Sequence, residues 1–231
     1  MAKRPVFCIS NEQPFVKEIN VEFNYYSGFS IVQRQKSIAS LHSQYLAQYP
    51  TAKILEVSTK SKESLGVALS AFNLMIPFKN GVEISVENAF QSSKVFEDGG
   101  PYTDLLLKNP REIKKDSRLH NSGRLIRFQY GSRSFELLPR TFFYNWLYIH
   151  ALSLNKELSE KIVKYDSFTD IAFNPEKSLN CQARSVALFI SLCRKGLIDE
   201  ALEDTNKFKR IVYGEESITD FEEASQLTFW E

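Results

Sequence analysis

Apolar residues return at helical spacing between Ser30 and Tyr49, where Ile31, Ile38, Leu41 and Tyr45 fall on one side of the chain. Ser30 precedes that run with Gln33 three residues on, and Pro50 ends it, which predicts a capped helix. Lys53 to Thr59 (KILEVST) is short and β-branched and predicts a strand. Ser64 to Asn73 (SLGVALSAFN) is rich in small residues and fits no single period. Ser85 to Phe96 reads as a helix capped by Ser85, with Val86, Phe90 and Ser93 on one face and Gly99-Gly100-Pro101 beyond its end. LIRFQY and RSFELL then flank Gly131-Ser132. Ile126, Phe128 and Tyr130 alternate with Arg127 and Gln129, and Phe135 and Leu137 answer them, which predicts a hairpin with a type II′ turn.

The last third is helical in pattern. Thr141 to Leu154 (TFFYNWLYIHALSL) is apolar all round and must be buried, and Asn155 to Tyr165 follows as a shorter helix. Asn174-Pro175 looks like an N-cap with Pro at the first helical position. Leu179, Ala183, Val186, Ala187 and Ile190 then make a core stripe as far as Gly196. Asp199 to Val212 forms one further amphipathic helix. The sum is an α+β chain, a mostly helical single domain with a small antiparallel sheet. Its expected organisation is an N-terminal extension (1–14), a main domain (15–213) and an acidic tail (214–231) expected to fray.

Composition narrows the class. With 231 residues, 43% apolar and 25% charged, the chain has ordinary globular usage, which excludes disorder and a fibrous repeat. Lys plus Arg number 29 against 28 Asp plus Glu, so a non-specific nucleic-acid coat is excluded while a local basic groove is not. Basic clusters stand at Arg34/Lys36, Lys114/Lys115/Arg118 and Lys207/Lys209/Arg210, each more often a solvated face than a phosphate track. Cys8, Cys181 and Cys193 are widely spaced, as suits reduced thiols in the cytoplasm. No apolar run approaches the ~18 residues of a membrane span, and because Asn11, Glu12 and Gln13 interrupt any apolar run after the basic start, no signal peptide is expected. His42, His120 and His150 have no metal spacing, and P-loop, Rossmann and G-x-S-x-G motifs are absent, so neither a metal nor a cofactor is expected.

Two stretches carry candidate chemistry. In VENAFQSSKVFEDGGPYTD, Glu87, Gln91 and Lys94 stand at i, i+4 and i+7, so a helix through Phe96 would put them on one face between Phe90 and Phe96. The glycines after it would let a ligand approach the backbone. A lysine amine is nucleophilic only when neutral, and a glutamate beside it opposes that unless the carboxyl itself takes a proton. In YDSFTDIAFNPEKSLNCQ, the groups Asp166, Thr169, Asp170, Asn180 and Gln182 suit hydroxyl and amide recognition, with Asp170 flanked by Phe168, Ile171 and Phe173.

VENAFQSSKVF closely resembles the hallmark of the NADAR superfamily, and LSAFN (Leu69 to Asn73) is similar to the opening of those domains. GGPYTDLL, FYNWLYIHAL, YDSFTDIAFNPEKSLNCQAR and KSIASLH look like the branch encoded beside DarT-type toxins, so the resemblance runs from about Phe15 to about Arg210. It implies a NADAR/YbiA-like fold and an ADP-ribosyl glycohydrolase that removes ADP-ribose from guanine bases of DNA, as antitoxin to a DarT-type DNA ADP-ribosyltransferase. The alternatives are an N-glycosidase on riboflavin-pathway nucleotide intermediates and a non-catalytic antitoxin that binds and blocks the toxin. By the resemblance, Lys94 is the catalytic lysine, attacking the anomeric carbon through a Schiff-base-like adduct, and Glu87 is the acidic residue of the motif. The expected ADP-ribose-binding set is Asn73, Gln91, Asp98, Gly99, Gly100, Tyr102, Arg118, Asp170 and Asn180. Arg118 and the amides around Gly99-Gly100 are its pyrophosphate donors. The expected partners are ADP-ribosylated DNA, ADP-ribose and the toxin, with no membrane and no cofactor.

Overall fold

The computed structural model describes residues 1–28, 30–78 and 81–214. Beyond Gly214, the acidic tail lies outside the described residues. Two eight-residue strands open the chain, β1 (Ala2–Ile9) and β2 (Val16–Phe23), paired antiparallel from Ala2↔Phe23 to Ile9↔Val16. Residues 2–9, within the stretch expected to stand apart as an extension, are thus an inner strand. Helix α1 (Ile31–Gln48) follows, with Ser30 Oγ accepting from the Gln33 amide at 3.3 Å, and it buries Ile38, Leu41 and Tyr45. Ile31, expected on that face, is the first residue of the helix and is half exposed.

KILEVST contributes β3 (Ile54–Glu56), and the small-residue stretch folds into α2 (Ser64–Ala68). A short hairpin, β4 (Met75–Pro77) and β5 (Glu83–Ser85), leads into α3 (Val86–Ser92), whose cap is Ser85, accepting from the Asn88 amide at 3.1 Å. The helix expected through Phe96 stops at Ser92. The Ser92 and Ser93 hydroxyls both donate to the Ala89 carbonyl, and the chain turns into β6 (Lys94–Phe96). Beyond a 3₁₀ turn at Thr103–Leu105 come two one-turn helices, α4 (Pro110–Ile113) and α5 (Arg118–Asn121).

The expected hairpin is β7 (Leu125–Tyr130) with β8 (Arg133–Phe135). Gly131 takes φ +58° while Ser132 keeps a negative φ, as a type II′ turn requires. Ile126 is not part of the alternating buried face. Val95 pairs with Arg127 and Phe96 with Leu125, so Ile126 falls in a bulge and is 48% exposed. Helices α6 (Phe142–Leu154) and α7 (Lys156–Ile162) and strand β9 (Ser167–Thr169) follow. Asn174-Pro175 caps only a turn, the Asn174 oxygens accepting from the Glu176, Lys177 and Ser178 amides. Helix α8 (Gln182–Arg194) starts well after it, leaving Leu179 outside the core stripe. The single helix expected at Asp199–Val212 is two, α9 (Ile198–Glu203) and α10 (Thr205–Tyr213), because extended Asp204 caps the second through the Asn206 and Lys207 amides.

The fold is α+β. Its main sheet has the order β2-β1-β9-β3, antiparallel except for the parallel pair β3–β9, and a second three-stranded sheet runs β6-β7-β8. Helix α6 is buried along nearly its whole length, as its composition demands, and packs with α8 at the centre of the largest core cluster. Both the α3–β6 junction and the end of β9 lean on that core, which sets the candidate residues on rigid backing.

Candidate active site

Lys94 is the first residue of β6 and pairs across to Phe128. Gly100, at φ +91°, holds the following turn so close that a Cβ there would run into the Lys94 carbonyl. The glycine therefore serves a close backbone-to-backbone approach that fixes the lysine from behind. The side chain is half-buried, its ammonium 5.5 Å from the centroid of the Phe90 ring. Phe90 is locked in turn by Phe128, Phe143 and Tyr144, with ring centroids 5.3, 5.9 and 5.3 Å away.

Burial lowers the pKa of Lys94, and the charge of Glu87 pulls it part of the way back. Lys94 has no ion pair within 4.0 Å among the described residues. Glu87 lies in the first turn of α3, its carboxylate accepting from Gln91 Nε2 at 3.1 Å. Glu87 and Gln91 thus share a helix face, while Lys94 reaches the same region from the strand.

A second group of polar side chains faces the same core. The Ala71 carbonyl accepts from the Glu87 amide at 2.9 Å, and the Ala71 amide donates to Gln182 Oε1 at 2.7 Å. Gln182 also donates to the Val57 carbonyl at 2.7 Å, and its side chain is among the groups that act on Asp170. Asp170, at the end of β9, accepts from the Ala172 amide at 2.9 Å, and burial together with the charge of Glu56 pushes it up to about 7. Between these clusters stands the buried Tyr144, raised by burial and by its neighbours, with both Glu87 and Asp170 among the charges that act on it. Below Asp170, the buried Glu56 accepts from Ser58, Thr169 and the Ile171 amide at 2.6, 2.6 and 2.9 Å. His42 of α1 meets the same Thr169 hydroxyl at 2.8 Å. Burial raises Glu56 and lowers His42 to about 4, so both are biased towards their neutral forms.

A family model described as the DarT1-associated NADAR antitoxin matches residues 2–221. The chain belongs to that family. No curated protein matches it. The match takes in both β1 and β2 of this chain, and its description names DarT1 as the associated toxin. No helix among the described residues is long and apolar enough to cross a membrane.

The remaining candidates of this NADAR chain fall into three places. Asn73 ends the LSAFN turn, its amide donating to the Val67 carbonyl at 2.9 Å. Asp98, Gly99, Gly100 and Tyr102 form the turn behind β6, where the Asp98 amide is taken by the Ser122 carbonyl and the Gly99 amide by the Phe96 carbonyl. Tyr102 meets the Ser122 hydroxyl at 2.5 Å, and Arg118 lies 4.5 Å over its ring. The Arg118 guanidinium is shared by Asp116 at 2.8 Å and Asp104 at 2.7 Å, which hold it firmly charged. Asn180 precedes α8, with its side-chain oxygen buried and unpartnered among the described residues. The structure therefore gathers Lys94, Glu87 and Gln91 with Asp170 around Tyr144, and sets the Asp98–Arg118 group on a separate small cluster of Phe96, Leu105, Ile113 and Leu119. Sequence reading passed over Tyr144 and Glu56. One was hidden in an unbroken apolar run, the other in a β-branched strand where a single carboxylate looks like an outward-facing residue.

Proposed function

We propose that this antitoxin is an ADP-ribosyl glycohydrolase that removes ADP-ribose from guanine in DNA, with Lys94 as nucleophile and Glu87 as its proton partner. The observation that carries the reading is a half-buried lysine amine, depressed by burial, set against an aromatic ring, with no ion pair among the described residues and with Glu87 in its field. A proton passed from the Lys94 ammonium to Glu87 leaves a neutral amine and a neutral acid, the pair that a desolvated pocket favours. The amine then attacks the anomeric carbon as the glycosidic C–N bond breaks, and the Glu87 proton goes to the departing guanine nitrogen. The Glu87 carboxylate next takes a proton from the new ammonium and passes it to the ribose ring oxygen as the bond between that oxygen and the anomeric carbon breaks, which opens the sugar to an imine. Water afterwards hydrolyses the ring-opened imine on Lys94, releasing ADP-ribose and restoring the amine. Proton donation and nucleophilic capture each contribute about 10²- to 10⁴-fold in such reactions.

Asp170 and Gln182, with Asn73 and Asn180, are the groups we assign to the ribose hydroxyls. Arg118, beside the Asp98–Tyr102 turn, is assigned to the pyrophosphate end; the Asp98 and Gly99 amides of that turn, expected among its donors, are committed to the Ser122 and Phe96 carbonyls. Arg118 brings a charge already shared by two carboxylates, so a pyrophosphate would displace Asp104, the more exposed of the two. The partner DarT1 toxin supplies the modified base in this reading, and no cofactor takes part.

The test is a guanine-ADP-ribosylated oligonucleotide incubated with wild type and with Lys94→Ala. Wild type should release ADP-ribose and the variant should lose at least about 10³-fold in rate. Equal rates would refute the assignment of Lys94. Rescue of toxin-expressing cells by Lys94→Ala protein would favour a blocking antitoxin, and release from free nucleotides but not from DNA would favour a small-molecule N-glycosidase.

A further inference from the structure

The basic pair Arg34/Lys36 has no part in the site around Lys94. Neither side chain forms an ion pair among the described residues. Each lies beside a tyrosine instead, the Arg34 guanidinium at the hydroxyl edge of Tyr25, 5.6 Å from the ring centroid, and the Lys36 ammonium 6.0 Å from the centroid of Tyr26. Arg34 also donates to the Tyr25 hydroxyl. Both rings are turned to solvent, Tyr25 36% and Tyr26 41% exposed. They are not loosely held: the Asn24 amide donates to Ser40 Oγ at 3.1 Å and the Tyr26 amide to Ser37 Oγ at 2.9 Å, which fastens the segment along α1. A shallow groove continues from Tyr26 and Lys36 past Ala39, Ser40, Ser43 and Gln44, lined by hydroxyl and amide groups.

The charge pattern is one-sided. No Asp or Glu occurs between Glu22 and Glu56, although the chain as a whole carries 28 acidic residues in 231. Glu56 itself is buried. Exposed aromatic rings with cations beside them, next to an acid-free groove, match a ligand with alternating π-faces and phosphates. Bases can stack on such rings only when unpaired, which distinguishes a single strand from a duplex. His42, eight residues beyond Arg34 and thus about 12 Å further along the helix, touches Thr169, the neighbour of Asp170.

We infer that Tyr25, Tyr26, Arg34 and Lys36 form a contact surface for single-stranded nucleic acid, running along α1 towards the end of β9. The inference concerns binding alone and stands whether or not Lys94 is the nucleophile.

The test titrates the full chain into a fluorescently labelled, unmodified single-stranded DNA oligonucleotide of about 12 nucleotides, read by anisotropy at several salt concentrations. Removing both rings (Tyr25→Ala with Tyr26→Ala) should weaken binding at least about fivefold. Tyr25→Phe with Tyr26→Phe keeps the rings and should keep most of the affinity, which guards against a merely misfolded variant. Arg34→Ala and Lys36→Ala should each flatten the slope of log K against log[salt] by about 0.7. Lys94→Ala should bind like wild type, so a failed hydrolase reading leaves this result untouched. The inference is overturned if wild type does not bind, if the ring-less variant binds equally, or if the duplex of the same sequence binds as tightly. Loss of toxin binding with DNA affinity intact in the same variants would also overturn it, and would make the patch a protein interface.

Discussion

Lys94 is half-buried, where desolvation works against its charge while the Phe90 ring face and the field of Glu87 support the ammonium. For a base whose folded-state pKa is depressed, the penalty is fully present at low pH and fades as pH rises above the folded value towards that of the free side chain. Lys94→Met removes this penalty along with the nucleophile. The variant should melt about 2–4 °C higher near neutral pH, as a gain of about 1 kcal/mol does in a chain of this size, while losing activity. A lower melting temperature would mean that the ammonium's contacts outweigh its desolvation. The lysine and the glutamate were both readable from VENAFQSSKVF. The way they meet was not, because the helix periodicity that aligned them continues past Ser92 in sequence but not in space. Two serine hydroxyls that donate back to Ala89 end the helix there, a side-chain competition with the backbone that apolar spacing does not record.

At the scale of elements, the site depends on how closely α2 and the LSAFN turn lie against β3. Gly66, inside α2, is buried so tightly that a Cβ would meet the Glu56 carbonyl and the Ser61 hydroxyl. Helix propensity alone would make Gly66→Ala stabilising by about 0.8–1.0 kcal/mol. A backbone oxygen cannot rotate away, so the clash should win, with a net loss of about 1–3 kcal/mol in denaturant unfolding. A variant as stable as wild type would show that α2 can shift without disturbing Glu56. Alternation and turn chemistry made the β7–β8 hairpin legible, and an all-apolar run made α6 legible. The β1–β2 pair escaped notice because polar residues facing solvent, such as Lys17 and Glu18, break up its apolar pattern, and its burial comes from long-range pairing with β9. Asp204, read as the interior of one long helix, is a cap between two, a role that its extended backbone reveals and its composition does not.

For the whole molecule, the buried acids make stability depend on pH. Asp170 holds its proton up to about 7, against 3.8 for the free side chain. Between those values the folded state binds a proton that the unfolded chain has released, so stability falls as pH rises through this window and stays reduced above it. Glu56 is shifted in the same direction and adds to the slope. In Asp170→Asn the loss of stability between about pH 5 and about pH 8 should shrink by on the order of 1–4 kcal/mol, read by urea unfolding at each pH. An unchanged slope would mean that Asp170 is ionised throughout. Asp170 was picked out in sequence by its apolar flanks. Glu56, Thr169 and His42 come together only because β3 and β9 pair in parallel across more than a hundred residues, a juxtaposition that local pattern cannot show.

The claim on which the rest depends is that the Lys94 amine bonds to the sugar during turnover. Adding borohydride to wild-type protein working on a guanine-ADP-ribosylated oligonucleotide, followed by peptide mass spectrometry, tests it directly. A reduced ADP-ribosyl adduct on the peptide carrying Lys94, absent from Lys94→Ala, is the predicted result. An adduct on another residue, or continued turnover by Lys94→Ala, would contradict it.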